Sequence, residues 1–326
     1  MTRLAVVLLL VLVASAGRAF AHPSAAARSV LSNVEGQATA EEQFDLASRY
    51  VAGDGVPKDP AAAAEWYRKA ADQGHVTAQL FLAMMHAKGD LIPRDMPQAA
   101  LWFRKAAEQG EPTAQLNLGL MYERGEGVPK NIAAAAEWYA KAGEAGYLQA
   151  QFALAEIYAS GAAGVPKDLA SAAAWYAKAA EQGYAVAQFN IGAMHYFGEG
   201  VTRDRVKALA WFTQAAERGH PSAQFNVGVA YQTGNPVPQD SATAAAWFSK
   251  AASQGHPGAR VNLAVMYSSG VGVVKDLVTA YMWAELVAAS GDPNGARVRE
   301  SLKGVMGTAE IAEAQRAARD WKPEKN

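Results

Sequence analysis

Thr113-Ala-Gln-Leu-Asn-Leu-Gly-Leu-Met-Tyr122, Glu123-Arg-Gly-Glu-Gly-Val-Pro-Lys-Asn131 and Ile132-Ala-Ala-Ala-Ala-Glu-Trp-Tyr-Ala-Lys-Ala-Gly-Glu-Ala-Gly146 follow one another without a break and decide the fold. In the first piece Ala114, Leu118, Met121 and Tyr122 fall at i, i+4, i+7 and i+8, one face of an α-helix. Gly125 and Gly127 mark a turn after it. Asn131 then opens a second helix, because its side chain can accept from the unpaired amides of the first turn. Trp138, with Ala135 and Ala142, is expected on the buried face of that helix. Gly146 closes it, since glycine takes the left-handed conformation without strain.

The same phrase recurs on both sides. Trp66, Trp102, Trp138, Trp175, Trp211, Trp247 and Trp283 are spaced 36, 36, 37, 36, 36 and 36 residues apart, and a glycine follows each by eight. The helix-opening position recurs as Asp59, Asp95, Asn131, Asp168, Asp204, Asp240 and Asp276. An alanine column, Ala78, Ala114, Ala150, Ala187, Ala223 and Ala259, lets helix backbones approach closely, and the large indole fills the space left. Truncating one such tryptophan is expected to cost roughly 3–5 kcal/mol. A fixed period of this length is the signature of a stacked repeat, in which each unit packs only on its neighbours.

The pattern A-x-x-x-L-G-x-M-Y-x-x-G-x-G-V-x-x-D, followed by A-x-x-W-Y-x-K-A-A-x-x-G, resembles the Sel-1-like repeat, a relative of the tetratricopeptide repeat, from about Glu41 to Asp292. The departures are small. The fourth unit has one extra residue in Gly161-Ala-Ala-Gly-Val165, and the second and sixth replace the second turn glycine by Leu91 and Pro236. In the seventh, Ala284 stands where the others have an aromatic. The expected fold is an all-α, right-handed α-solenoid of seven helix-turn-helix repeats with a C-terminal capping helix. In that helix, Thr308 to Trp321, Ile311, Ala314, Ala318 and Trp321 would pack inward while Glu310, Glu313, Arg316 and Arg319 face water.

The chain is expected to divide into a signal peptide (1–21), a flexible lead-in (22–40), seven repeats (41–292) and C-terminal capping helices with a tail (293–326). The leader reading rests on Arg3, an apolar run from Leu4 to Ala14 and Ala19-Phe20-Ala21, which predicts cleavage after Ala21. That run is short for a membrane-spanning helix. The protein should therefore be exported, periplasmic or secreted, with no stable membrane insertion after cleavage. Losing Arg3 and Arg18 from the 30 basic residues, with the 31 acidic ones kept, leaves a net charge of −3. Near-neutral charge without a basic block argues against nucleic acid as a partner. With no cysteine there is no disulfide framework and no thiolate chemistry.

No residue set suggests catalysis, a cofactor or a metal. The Gly-x-Gly-Val turns follow no strand and lack the Gly-Lys-Ser/Thr of a phosphate loop. His75, His220 and His256 each follow a helix-closing glycine, a loop position, while His86 and His195 replace tyrosine in a repeat column. None has metal-site spacing. The partner-binding candidates form an asparagine column: Asn117, Asn190, Asn226 and Asn262, with Asp45, Phe81 and Ala153 in the other units. Two residues earlier run Gln43, Gln79, Gln115, Gln151, Gln188 and Gln224, broken by Arg260. Either column could grip an extended peptide on the concave face, or bridge repeats by satisfying open backbone groups.

The resemblance implies a non-catalytic interaction scaffold or adaptor, with an extended peptide or an envelope protein domain as partner. Exported relatives suggest a role in envelope signalling or polysaccharide production. The alternative is a cell-wall-related binder or hydrolase linked to β-lactams or peptidoglycan, as in a cysteine-rich branch whose disulfides this chain cannot form.

Overall fold

A computed structural model describes residues 38–89 and 91–323. The expected signal peptide, its cleavage site and the lead-in up to residue 37 lie outside the described residues. The helices fall into two compact units that divide between Lys167 and Asp168. The first holds α1 (Ala40–Ala52), α2 (Pro60–Asp72), α3 (Val76–Lys88), α4 (Met96–Glu108), α5 (Pro112–Arg124), α6 (Ile132–Glu144) and α7 (Leu148–Ser160). The second holds α8 (Leu169–Glu181), α9 (Ala185–Phe197), α10 (Arg205–Glu217), α11 (Pro221–Thr233), α12 (Ser241–Ser253), α13 (Pro257–Ser269), α14 (Leu277–Ala288), α15 (Pro293–Lys303) and α16 (Thr308–Asp320). The result is an all-α solenoid of paired helices, with no strand among the described residues.

The boundaries lie where the capping chemistry predicts. Asp59 Oδ1 accepts from the amides of Ala61 and Ala62, both at 3.0 Å, and the six equivalent residues cap their own second helices in the same way. First helices mostly end on a left-handed glycine, such as Gly125 at φ 74°. The second turn glycine is needed for a different reason. A Cβ on Gly127 would lie 2.2 Å from the carbonyl oxygen of Met96, so the turn rests directly on the preceding second helix.

Packing departs from expectation at the tryptophan. Trp138 is only half-buried, whereas the next residue, Tyr139, is fully buried. Tyr67, Phe103, Tyr176, Phe212 and Phe248 are buried likewise; of the indoles beside them Trp66, Trp175, Trp211 and Trp247 are half-buried, and Trp102 is buried. The rings of Tyr139, Phe212 and Phe248 cross a glycine on the first helix of their own repeat, where a Cβ on Gly119, Gly192 or Gly228 would come within 2.6, 2.8 and 2.7 Å of them. The indoles cover the edge of this core beneath a lysine one turn on. Lys141 Nζ stands 4.0 Å from the Trp138 ring centroid, and Lys69, Lys105, Lys178 and Lys250 repeat the arrangement.

At the C-terminus Ala314 and Ala318 are buried, Ile311 and Trp321 half-buried, and Glu310, Glu313, Arg316 and Arg319 exposed, as the amphipathic pattern predicts. Among the described residues no helix is long and apolar enough to cross a membrane.

Candidate functional site

The glutamine column is structural. Gln79 donates to Ala71 O at 3.0 Å, Gln115 to Ala107 O at 3.2 Å and Gln224 to Ala216 O at 3.1 Å, and Gln151 and Gln188 do the same. Each adds a second hydrogen bond to a last-turn carbonyl of the preceding second helix that already accepts from the closing glycine's amide, such as Gly74 N to Ala71 O at 3.0 Å. The link continues into the next turn, where Gln109 donates to Gln79 Oε1 and Gln254 to Gln224 Oε1, both at 2.8 Å. Where Arg260 breaks the column, its Nε takes over the bond, to Ala252 O at 3.1 Å. Its guanidinium then lies 4.2 Å from the Trp321 ring centroid, so the exchange ties the last repeat to the closing helix.

The loop histidines are helix caps. His75, His220 and His256 accept through Nδ1 from the amides of Ala78, Ala223 and Ala259 at 3.0, 3.2 and 3.2 Å. Their rings stack on Phe44, Phe189 and Phe225 of the preceding repeat at 4.5–4.6 Å. Burial holds the pKa values of His220 and His256 below the ordinary imidazole range. His86 is buried, as its place in a tyrosine column suggests, and His195 is half-buried.

The asparagines do not share one environment. Asn117 is buried and donates to Thr113 O at 2.8 Å, within its own helix. Asn190 and Asn262 are half-buried. Asn226 lines a cavity of about 530 Å³ between α9, α10 and α11. The apolar interior of this groove includes Phe189, Leu209 and Phe212, and the rings of Phe189 and Phe212 lie 5.6 Å apart. Tyr196 and Phe197 also line it, packed edge to face with centroids 5.0 Å apart, and Phe197 is 66% exposed. Arg205 contributes the groove's cation, 5.8 Å from the Tyr196 ring. A largely apolar recess with a few polar groups can select a shape and a charge.

Of the residues at this groove, the repeat pattern marks Asn226 and Pro236 but not Tyr196, Phe197, Arg205 or Asn235. Their signal is departure from the repeat, which a search for regularity passes over.

Comparison with known proteins agrees with this architecture. The Sel1 repeat matches seven times, at residues 43–75, 76–111, 112–147, 148–184, 185–220, 221–256 and 257–292. Among solved structures, the chain is similar to c5321, a protective antigen of uropathogenic Escherichia coli strains with an SLR fold. The identity is 36% with a TM-score of 0.64, over 90% of this chain and 63% of that one, so the chain spans less than two thirds of that relative's length. A Sel1 repeat protein from Oxalobacter formigenes is 38% identical with a TM-score of 0.59, over 81% of this chain and 76% of the other. Comparison with curated proteins gives no significant match. Sel1-repeat proteins are generally protein-interaction scaffolds, and their fold is typically non-catalytic. With tandem matches running from residue 43 to residue 292 over the helix pairs described above, the chain belongs to the Sel1 repeat family.

Proposed function

We propose that this chain is an exported, non-catalytic scaffold that holds a partner protein along the face presented by its first helices, in the service of envelope signalling or polysaccharide production. The observation that carries the binding role is the groove at Asn226, an open apolar recess beside a glutamine column that is taken up by stacking. The Asn190, Asn226 and Asn262 column supplies amides at one-repeat spacing, suited to the backbone of an extended segment. Asn117 belongs to the same column and is buried, its amide donating to Thr113 O, which makes its variant a control for structural damage. Support for export comes from the N-terminal sequence and from the similarity to an antigenic protein.

Affinity capture from an envelope extract, with the chain as bait, tests this reading. A protein retained by the wild type and lost with Asn226→Ala, at unchanged melting temperature, is the expected result. Retention unaffected by Asn190→Ala, Asn226→Ala and Asn262→Ala would reject the asparagine face. Export predicts that protein recovered from the envelope starts at His22, and recovery of intact Met1 in a membrane pellet would count against it.

A further inference from the structure

Internal repetition provides a control for every position, since six other units show what stacking alone requires. Phe197 stands where they carry Ala52, Lys88, Arg124, Ser160, Thr233 and Ser269. Tyr196 replaces Val51, Ala87, Glu123, Ala159, Gln232 and Ser268. Arg205, the first residue of α10, has only uncharged counterparts, Pro60, Met96, Ile132, Leu169, Ser241 and Leu277. The turn position is acidic as Asp54, Asp90, Glu126 and Glu199 in four repeats and neutral as Ala162, Asn235 and Val271 in the other three. The three departures, Tyr196, Phe197 and Arg205, line the cavity described above, together with the neutral Asn235. Folding does not need them, because the remaining repeats stack without them. An exposed phenylalanine also works against solubility.

Two further details show how the groove stays open. In the second repeat the Asn226 position is Phe81, whose ring stacks on Tyr67 at 5.6 Å and meets Phe44 at 5.9 Å, filling the equivalent space. In the sixth, Asn226 leaves that space vacant over Phe189 and Phe212. The turn differs as well. Gly200 and Gly272 approach the preceding second helix so closely that a Cβ would lie 2.1 and 2.3 Å from a carbonyl oxygen, and Pro236 carries such a Cβ at the corresponding place.

The charge balance then specifies the occupant. Arg205 is half-buried, and no carboxylate among the described residues lies within 4.0 Å of its guanidinium nitrogens. The adjacent Asp204 is engaged in capping α10 and sits 3.9 Å from Lys207. A cation in an apolar recess, with no carboxylate of the described residues beside it, is matched by a ligand that brings its own carboxylate. We infer that this groove, between the fifth and sixth repeats, binds an extended segment of a partner protein in which a bulky apolar side chain stands beside a carboxylate. The apolar side chain enters between Phe189, Leu209 and Phe212, Tyr196 and Phe197 close over it, and the carboxylate pairs with Arg205. This rests on the scaffold reading and adds the chemistry of the partner. A recess lined on several sides, with one cation, suits a side chain better than the flat, multiply anionic surface of a membrane.

Selection of phage-displayed random twelve-residue peptides (a length chosen on the order of one helix of each repeat) on the whole protein tests it, followed by fluorescence polarisation with the enriched peptides. Enriched sequences should place Leu, Ile, Phe or Trp within a few positions of Asp, Glu or the C-terminal carboxylate. Asn226→Phe, which copies the native Phe81, should weaken binding at least about tenfold with the melting temperature retained. The exposed-site change Phe197→Ser should do the same. Arg205→Ser should weaken it about tenfold, Arg205→Lys less, and replacing the peptide's Asp by Asn should abolish the difference between them. Peptides that bind Asn226→Phe and Phe197→Ser as well as wild type would overturn this groove while leaving the scaffold reading intact. Enrichment of basic or wholly apolar sequences would overturn the inferred chemistry. If no peptide is enriched and phosphatidylglycerol vesicles bind in a manner lost with Phe197→Ser, the groove serves a membrane and the inference fails. Absence of peptide, vesicle and captured protein alike would remove the scaffold reading with it.

Discussion

Trp138 and Tyr139 are neighbours in sequence and differ in what they hold together. Adjacent residues on a helix point about 100° apart, so a period that places one aromatic near the core cannot say which of the two is inside. The structure resolves it. Tyr139 is fully buried against Gly119 and donates through its hydroxyl to Glu123 Oε2 at 2.5 Å, while Trp138 lies half-buried under Lys141. The invariant-looking indole is thus the more adaptable contact, and the residue that alternates between Tyr and Phe is the core. Tyr139→Ala should destabilise the protein by about 3–5 kcal/mol, and Trp138→Ala by clearly less. Denaturant midpoints of the two variants compare them directly, and an equal or reversed order would contradict this packing. The tryptophan spacing gives the period, and Trp102 and Trp283 are buried, but Trp138 is only half-buried, because burial depends on what the neighbouring helix brings to the contact.

Helix boundaries were legible to the extent that their caps use familiar chemistry. Asp and Asn before the second helices announce themselves, and the glycines after both kinds of helix need their positive φ. The first helices were harder, because histidine seldom caps and reads as loop. Its role emerges only with a ring nitrogen aimed at an amide and a phenylalanine beneath it. A pH dependence follows. An Nδ1 that accepts from a backbone amide carries no proton, and burial lowers the pKa of His220 and His256 in the folded state. Below the unfolded-state value of about 6.5 the unfolded chain takes up protons that the folded chain does not, so stability falls as pH drops from there towards the folded values. Above about 6.5 this contribution is fully present. The pair His220→Asp and His256→Asp copies the carboxylate cap of Asp292, whose Oδ1 accepts from Asn294 N at 2.8 Å. Calorimetry from pH 7 to pH 5 should show a shallower loss of melting temperature in that pair than in wild type. Parallel profiles would mean that the histidine caps are not what titrates.

Across the molecule, regularity and function were read by opposite means. The seven units, their caps and the polar-faced last helix follow from residues that recur, whereas the groove consists of residues that do not, and nothing in a single unit marks Phe197 or Arg205 as unusual. The last repeat shows the same logic applied to stability. Arg260 replaces the expected glutamine, keeps its bond to Ala252 O, and adds stacking on Trp321, which meets Trp283 edge to face at 6.0 Å. In a stacked array each unit depends on its nearest neighbours, so loss of a terminal element should spread inward only as far as those contacts reach. Truncation after Gly307 removes α16 and leaves Trp283 and Arg260 without Trp321. Native-state hydrogen exchange of the truncated chain should show faster exchange in α13 to α15, less change in α10 to α12, and unaltered protection in α3 to α6. Uniform loss of protection from α3 to α15 would mean that the chain opens as one cooperative block, and a nearest-neighbour account of its stability would have to be given up.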